Sequence, residues 1–196
     1  SSTYTQSNGT STFGSGNVYF NNSFTLSGGT FNASEDLTYF YYNFTHTGGV
    51  FDGGSGTVVF RNTGASSASQ SINTVSSVDN TVTFNNFLLY NSNSSCTLVV
   101  SAGDHIIVTG TTTLRMGYLS YGDSNSSLDA KGNLVVESTY NNSSGRSPFQ
   151  LRINSTEPQV VTIAGGTYLP RLVFAGASTT IYGPSSAIAY AYTIET

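Results

Sequence analysis

The chain has 196 residues, of which 37% are hydrophobic, which is enough for one domain with a real core but cramped for two. Only 8% of the residues are charged, and a net charge of −4 leaves none of the basic surface that neutralises nucleic-acid phosphates. We therefore expect one domain over residues 1–196, no nucleic-acid partner, and a surface kept soluble by Ser, Thr, Asn, Gly and Tyr.

The first predicted elements are short blocks that repeat every 20 residues. Three of them end on phenylalanine: NVYF (17–20), LTYF (37–40) and TVVF (57–60). Between them, Gly28-Gly29 is matched 20 residues later by Gly48-Gly49. The blocks alternate with a period of two and are rich in β-branched and aromatic residues, so they predict strands rather than helices.

Further along the chain the repeat becomes less regular. NTVTFNNF (80–87) resembles GNVYFNNSF (16–24), which predicts a fourth coil with a longer spacing. The remaining predicted strands lie in TLVVSA (97–102), HIIVTGTTTLRM (105–116), NLVVEST (133–139), FQLRIN (149–154), QVVTIAGGTYLPRLVFAG (159–176) and AIAYAYTIE (187–195). We expect the clearest repeats over 11–64, weaker repeats over 72–196, and no amphipathic helix of ten residues or more.

A short period of strand and turn predicts an all-β fold, a parallel β-solenoid with coils of about 20 residues. Each coil leaves an apolar face that only its neighbours can bury, and stacked coils place equivalent residues above one another. Phe20, Phe40 and Phe60 would form such a ladder, and the Gly-Gly pairs would turn corners. A β-sandwich or jelly roll is the alternative, although neither requires a fixed period.

Three stretches carry a resemblance to a known group of proteins: NFTHTGGVFDGGSGTVVFRNTG (43–64), INTVSSVDNTVTF (72–84) and IIVTGTTTL (106–114). They resemble the repetitive β-solenoid regions of large bacterial and archaeal cell-surface or secreted adhesin-like proteins. The resemblance covers about residues 11 to 114. It implies a right-handed parallel β-helix with a surface, adhesive or scaffolding role, and it supplies no catalytic residues.

The cysteine and lysine content and the absence of a membrane-length apolar run bear on whether the protein is exported. Cys96 is the only cysteine, so an intramolecular disulfide is excluded, and the thiol is either buried and inert or part of an intermolecular bridge. The chain starts without a signal-like segment and has no apolar run of membrane-span length, so either it was never exported or a signal has been removed. The scarcity of lysine and the lack of cysteine pairs favour an extracellular or cell-surface location.

The sequence also contains nine candidate N-glycosylation sites, which would be used only in an exported protein whose host has the machinery. They are Asn8, Asn21, Asn32, Asn43, Asn93, Asn125, Asn141, Asn142 and Asn154.

Few residues of the sequence are spaced for catalytic chemistry. His46 and His105 lie far apart and are predicted to be turn or surface residues, and Glu35-Asp36 would point to opposite faces of an extended chain. Asp123 and Asp129 lie near Lys131 in a predicted loop. Glycoside hydrolysis needs two carboxylates facing one bond, so we predict that the protein is not an enzyme.

Two loops resemble calcium-binding sequences only in part. GDSNSSLDA (122–130) spaces oxygen-bearing side chains at alternate positions but lacks the glycine and distal glutamate of an EF-hand. DGGSGTVVF (52–60) has the glycines of a calcium-binding nonapeptide without its inner aspartate. We predict solvated turns, and no metal or other cofactor.

Aromatic residues are the positive signal, with 13 tyrosines and 12 phenylalanines. If Phe40 points inward, Tyr39 and Tyr41 point outward, and Tyr19 lies one coil below Tyr39. Such a stripe could stack on sugar rings or pack against another subunit, although ordinary exposed tyrosines on a strand would give the same pattern.

The last predicted strand, AIAYAYTIE, alternates small and large residues. It places Ile188, Tyr190, Tyr192 and Ile194 on one face, and a terminal strand of this kind can be donated to another molecule. Neither end of the solenoid has a charged capping segment, so end-to-end stacking is expected. We therefore predict an extracellular structural protein that assembles with itself into a filament or appendage. The alternatives are a carbohydrate-binding adhesin domain and a polysaccharide-active β-helix enzyme.

Overall fold

The computed structural model describes the protein over residues 2–64, 68–74, 78–140, 150–164, 168–169, 172–176, 178–183, 188–189 and 192–194. All strand pairings in this part of the chain are parallel, and its only helical element is a 3-10 turn at Val78–Asn80. The predicted parallel β-solenoid is therefore confirmed, and the β-sandwich alternative is wrong.

The coils build three sheets, which we call walls 1, 2 and 3. Wall 1 contains β3 (Val18–Phe20), β5 (Leu37–Phe40), β7 (Thr57–Phe60), β10 (Asn86–Tyr90), β13 (Thr112–Met116), β16 (Leu134–Val136), β18 (Gln159–Ile163) and β21 (Thr179–Tyr182). Wall 2 contains β1 (Tyr4–Gln6), β2 (Thr10–Thr12), β4 (Phe24–Asn32), β6 (Phe44–Asp52), β8 (Ser69–Asn73), β11 (Thr97–Val100) and β14 (Tyr118–Tyr121).

Wall 3 begins above the second half of β6, where the ring of Phe84 lies 5.5 Å from that of Phe51. It contains β9 (Thr81–Phe84), β12 (His105–Val108), β15 (Ser127–Ala130), β17 (Gln150–Ile153), β20 (Leu172–Phe174) and β23 (Tyr192–Ile194). A separate pair, β19 (Tyr168–Leu169) and β22 (Ile188–Ala189), completes the strands. The eight strands of wall 1, about 4.8 Å apart, give the solenoid a height of about 34 Å.

The coil length is 20 residues only at the start of the solenoid. Phe20 pairs with Phe40, and Phe40 with Phe60, as predicted. The next residue of the same ladder is Leu89 rather than Phe84, because Phe60 pairs with Leu89 and Phe84 belongs to wall 3. The similarity of 80–87 to 16–24 therefore did not identify equivalent positions. The intervening residues lengthen the coil and give wall 3 a strand of its own.

The lower coils have an aromatic core in which like residues stack. Phe20 and Phe40 are nearly parallel with ring centroids 5.2 Å apart, and Phe24 and Phe44 are also nearly parallel at 5.2 Å. The two ladders meet edge to face, as Phe40 does with Phe44 at 5.0 Å. These are the offset-stacked and T-shaped geometries that aromatic quadrupoles favour. Higher in the solenoid the Phe20 ladder becomes aliphatic, since Leu89, Leu114 and Val136 follow Phe60.

The Gly-Gly pairs are needed where neighbouring coils approach closely. Gly29 and Gly49 have φ near +77° and +79°, a region that disfavours L side chains. A Cβ on Gly49 would lie 2.5 Å from the carbonyl oxygen of Gly29 in the coil below. The predicted role of these pairs at a bend of the coil is confirmed, since the β4–β6 register shifts there.

The predicted C-terminal strand is divided between two sheets. Ile188 lies in β22, which pairs with β19, whereas Tyr192 and Ile194 lie in β23, which pairs with β20 of wall 3. Tyr190 lies outside the described residues. The described parts of this stretch thus belong to two different sheets, and its role in self-assembly stays a prediction.

The phenylalanine ladder predicts a large cost for truncating its middle member. Phe40 is fully buried between Phe20 and Phe60. We expect Phe40→Ala to lower the free energy of unfolding by about 3–5 kcal/mol because it leaves a cavity in the core. Tyr42→Ala is the control: this residue is 53% exposed, and the expected change is within about 0.5 kcal/mol. Denaturant unfolding measures both, and a loss below about 1 kcal/mol for Phe40→Ala would contradict the ladder.

The glycine positions allow a matched comparison. Gly49→Ala should cost about 2 kcal/mol or more, since it combines a left-handed backbone with a backbone clash. Gly14→Ala should be neutral within about 0.5 kcal/mol, because a Cβ there meets nothing within 4 Å and its φ is not positive. Thermal unfolding of the two variants distinguishes them. Equal losses would show that the close approach of the coils is not what requires glycine at position 49.

Candidate functional site

The outer surface of wall 1 carries the predicted tyrosine stripe. Phe40 is buried in the core, whereas Tyr39 and Tyr41 are partly exposed and Tyr19 is 51% exposed. Tyr19 and Tyr39 are register partners in adjacent coils. The predicted directions of these side chains are therefore confirmed, while their binding role stays a prediction.

The rings of the stripe pack on one another. The ring of Tyr39 lies 4.9 Å from that of Tyr19 and 6.1 Å from that of Tyr41, and both pairs are close to parallel. Partial burial raises the pKa of the Tyr39 phenol above its ordinary value, with smaller contributions from the neighbouring tyrosines. One face of the Tyr39 ring is covered by Tyr19 of the coil below, and Tyr41 follows Tyr39 along the same coil. Tyr19 and Tyr41 each have one ring neighbour in the stripe.

A second outward column, which the sequence did not predict, continues from the stripe up wall 1. The guanidinium carbons of Arg61 and Arg115 lie 5.0 and 5.1 Å from the ring centroid of Tyr90. Arg61 comes from the coil below and Arg115 from the coil above. The Nε of Arg115 also donates to both carboxylate oxygens of Glu137, each at 2.9 Å. We call Tyr41, Arg61, Tyr90, Arg115 and Glu137 the arginine–tyrosine column.

A β-bulge places Arg115 in this column. Leu89 pairs with Leu114 but Tyr90 pairs with Met116, so Arg115 is an extra residue opposite Tyr90. Bulges re-aim side chains in this way. A strictly periodic interpretation of the sequence could not find the column, because both the long coil before Leu89 and the bulge shift its members out of a 20-residue register.

The outer face of wall 3 holds a smaller polar cluster. The ring Nδ1 of His105 lies 3.1 Å from the hydroxyl of Ser127, which donates to the carboxylate of Asp129 at 3.0 Å. Arg152 forms an ion pair with Asp129 at 3.7 Å. Asp129 therefore lies in strand β15, not in the predicted loop, and Lys131 follows the end of that strand. Only one carboxylate is present in this cluster.

The loop at 122–130, whose spacing partly resembles a calcium-binding sequence, forms a turn capped by Asp123. Asp123 accepts hydrogen bonds from the hydroxyl of Ser126 and from the backbone amides of Gly103, Asn125 and Ser126. These bonds, the Ser126 hydroxyl first, hold the pKa of the Asp123 carboxyl below its ordinary value. In the described part of the chain, no three His, Cys, Asp or Glu side chains are grouped as a metal site would require.

His46 is buried in β6, so its prediction as a turn or surface residue is wrong. It stacks above Leu26, and its Nε2 lies 3.2 Å from the carbonyl oxygen of Gly49. Burial lowers the pKa of the imidazole below its ordinary value, with the Gly49 contact acting in the opposite direction. Alternation along β6 from buried Phe44, and the 20-residue repeat from buried Leu26, both place His46 on the inward face, so the sequence pattern held a signal that could have found it.

Other predicted positions have differing environments. The sequon residues Asn8, Asn21, Asn43 and Asn125 are exposed, whereas Asn32, Asn93 and Asn154 are partly buried, and Asn141 and Asn142 lie outside the described residues. Cys96 is buried, as the inert-thiol interpretation predicted. Glu35 and Asp36 are exposed in the turn before β5, where Asp36 accepts a hydrogen bond from the amide of Gly16 at 2.7 Å.

The comparisons with known proteins give no relative from which a function could be transferred: no family model, curated protein or solved structure matches this chain. Within the ranges described above, no helix is both long and apolar enough to cross a membrane.

The buried histidine predicts a pH-dependent stability. Because the pKa of folded His46 lies below its unfolded value, its neutral form is favoured by folding, and stability is lost as the pH falls below about 6.5. His46→Leu should reduce the fall in melting temperature between about pH 7.5 and about pH 5, since leucine continues the stack on Leu26 without a proton-binding group. An unchanged pH dependence in this variant would show that other groups account for it.

Proposed function

We propose that the protein is an extracellular structural subunit that assembles end to end into a filament or surface appendage. The lowest coil supports this proposal, because, among the residues that the structure describes, β1 and β3 each pair with another strand on one side and β2 pairs only with β4. Unpaired parallel edges present backbone donors and acceptors that another coil can satisfy. We propose a second copy of this chain as the source of that coil.

The aromatic side chains at this edge favour a stacked partner. The ring of Tyr4 lies parallel to that of Phe24 at 5.2 Å, and Tyr4 and Phe13 are only partly buried against the core. Another coil below them would cover their remaining surface with the geometry already used inside the solenoid. At the opposite end of wall 1, Ile181 is 51% exposed. A contact between two different ends is heterologous. It forms a ring only if the rotation between successive copies closes a circle, and copies stacked along one axis form a filament instead.

A catalytic function receives less support from the described residues. The polar cluster on wall 3 offers His105, Ser127 and Arg152 around a single carboxylate, Asp129. A glycosidase mechanism requires two carboxylates on opposite sides of the bond. We therefore propose that the protein is not an enzyme.

Carbohydrate binding is a second candidate function. It is favoured by the exposed rings of Tyr19 and Tyr42, which are 51% and 53% accessible. Aromatic faces of this kind provide an apolar surface with a polar rim, which suits sugar rings. Tyr19 belongs to β3 at the open edge, where a stacked copy would cover part of it, whereas Tyr42 follows β5 in the next coil.

The end-to-end proposal is tested by blocking the open edge. The amide of Tyr4 donates to Ser23 in the coil above, so strand alternation points the amide of Thr5 away from the solenoid. Thr5→Pro removes that outward donor without removing an internal ladder bond. We expect filaments of the unaltered protein in electron micrographs, and none from Thr5→Pro.

Thr5→Ala is the matched control, because it also removes the threonine side chain but keeps the amide. It should form filaments like the unaltered protein, and sedimentation velocity should show the same large species. Circular dichroism should show that Thr5→Pro remains folded. Dispersed particles of the unaltered protein, or filaments that persist in Thr5→Pro, would contradict assembly through this edge.

A further inference from the structure

The arginine–tyrosine column concentrates positive charge on one wall of an otherwise acidic chain. Arg61 and Arg115 are two of only six basic residues, whereas the whole chain has a net charge of −4. Glu137 pairs with Arg115, but no carboxylate of the described residues lies within ion-pair distance of Arg61. The column therefore retains one positive charge that the described part of the chain does not neutralise.

The packing of the column prepares Arg61 to bind an anion. Its guanidinium stacks at 5.0 Å on the ring of Tyr90, which restricts the side chain before any ligand arrives. The Nε of Arg61 is buried and has no hydrogen-bond acceptor. Because the buried Nε does not reach a ligand, the end of the guanidinium formed by its two Nη groups is the part that matches a carboxylate with two parallel hydrogen bonds.

The surroundings of Arg61 suit a sugar chain better than an isolated anion. Tyr41 lies below it in the same column, and Tyr19 and Tyr39 continue the aromatic surface along the solenoid axis. Above it, the side chain of Arg115 is 39% exposed and forms a second guanidinium two coils, or about 10 Å, away. The surface is therefore elongated, partly aromatic and positively charged at intervals.

We propose that the arginine–tyrosine column binds an acidic polysaccharide, with the carboxylate of a uronic acid unit on the guanidinium of Arg61. This inference rests on carbohydrate binding, the second candidate function. It names an acidic polysaccharide as the ligand and places the main contact at Arg61 rather than at the tyrosine stripe. The tyrosine hydroxyls and the edge of the column contact the sugar hydroxyls. A neutral glycan would leave the guanidinium without a charged partner.

The charge distribution favours a sparsely charged polymer over nucleic acid. Duplex DNA carries one charge per about 1.7 Å of its axis, and binding it requires several neutralising contacts. Here two arginines stand about 10 Å apart, and one of them is already paired with Glu137. A uronic acid polymer, with one carboxylate on each acidic sugar, places fewer charges against the acidic remainder of the protein.

The test measures binding of polygalacturonate by isothermal titration calorimetry, with dextran as the neutral polymer. We expect the unaltered protein to bind polygalacturonate at low salt, more weakly at about 0.5 M NaCl, and to bind dextran far less. Arg61→Gln should weaken polygalacturonate binding about tenfold or more, because a charge-assisted hydrogen-bond pair is lost. Arg61→Lys should recover only part of the affinity, since lysine cannot form the planar pair.

Lys131→Gln is the matched control for charge, since it removes one positive charge from an exposed position outside the column. It should change the affinity less than about twofold. Equal losses in Arg61→Gln and Lys131→Gln would overturn the proposed site, and so would equally strong binding of duplex DNA. If only dextran binds, the uronic acid inference fails while carbohydrate binding survives. If neither polymer binds, both fail, whereas the filament test remains independent of this result.

Discussion

The structure depends on one constraint: parallel coils stack in register, so each side chain meets its equivalents above and below at about 4.8 Å. Inside the solenoid this favours identical apolar side chains in columns, because their shapes match when stacked. The parallel rings of Phe20 and Phe40, 5.2 Å apart, show the arrangement directly. Phe24 and Phe44 repeat it on wall 2. The coil is thus a unit whose stability comes from its neighbours rather than from its own turn.

The strands of each wall stay in register although the coils differ in length, because the additional residues lie between the walls. Three buried glutamines lie beside bends of the coil, and their side-chain amides donate to backbone carbonyls there, three of which also accept a backbone hydrogen bond from the next coil. Gln70 bonds the carbonyls of Phe40 and Tyr42, Gln159 those of Ala130 and Gly132, and Gln6 those of Gly9 and Thr30. Extra residues therefore enter at corners while the ladders continue, as between Phe60 and Leu89.

The same division explains what the sequence could predict. The Phe20, Phe40 and Phe60 ladder and the Gly-Gly bends were accessible because their spacing is constant and the residues are distinctive. The position of Leu89 was not, since it depends on how many residues the longer coil holds. The burial of His46 was accessible but missed, because it lies one 20-residue repeat above Leu26. Arg115 was harder still, because a single-residue bulge moves it into contact with Tyr90. A period identifies the walls of a solenoid but not the residues that its irregularities bring together.

Stacking also limits what the outer faces can recognise. A ladder of aromatic rings covers ring faces, so one face of Tyr39 is taken by Tyr19 although Tyr39 lies on the surface. A guanidinium in the same position behaves differently, because its flat faces can stack on neighbours while its edge keeps hydrogen-bond donors. At Arg61 the outward column changes from tyrosine to arginine. There the flat face of the side chain stacks on a neighbour, and its edge stays available to bind a ligand. We therefore expect recognition on this solenoid at the departures from its repeat.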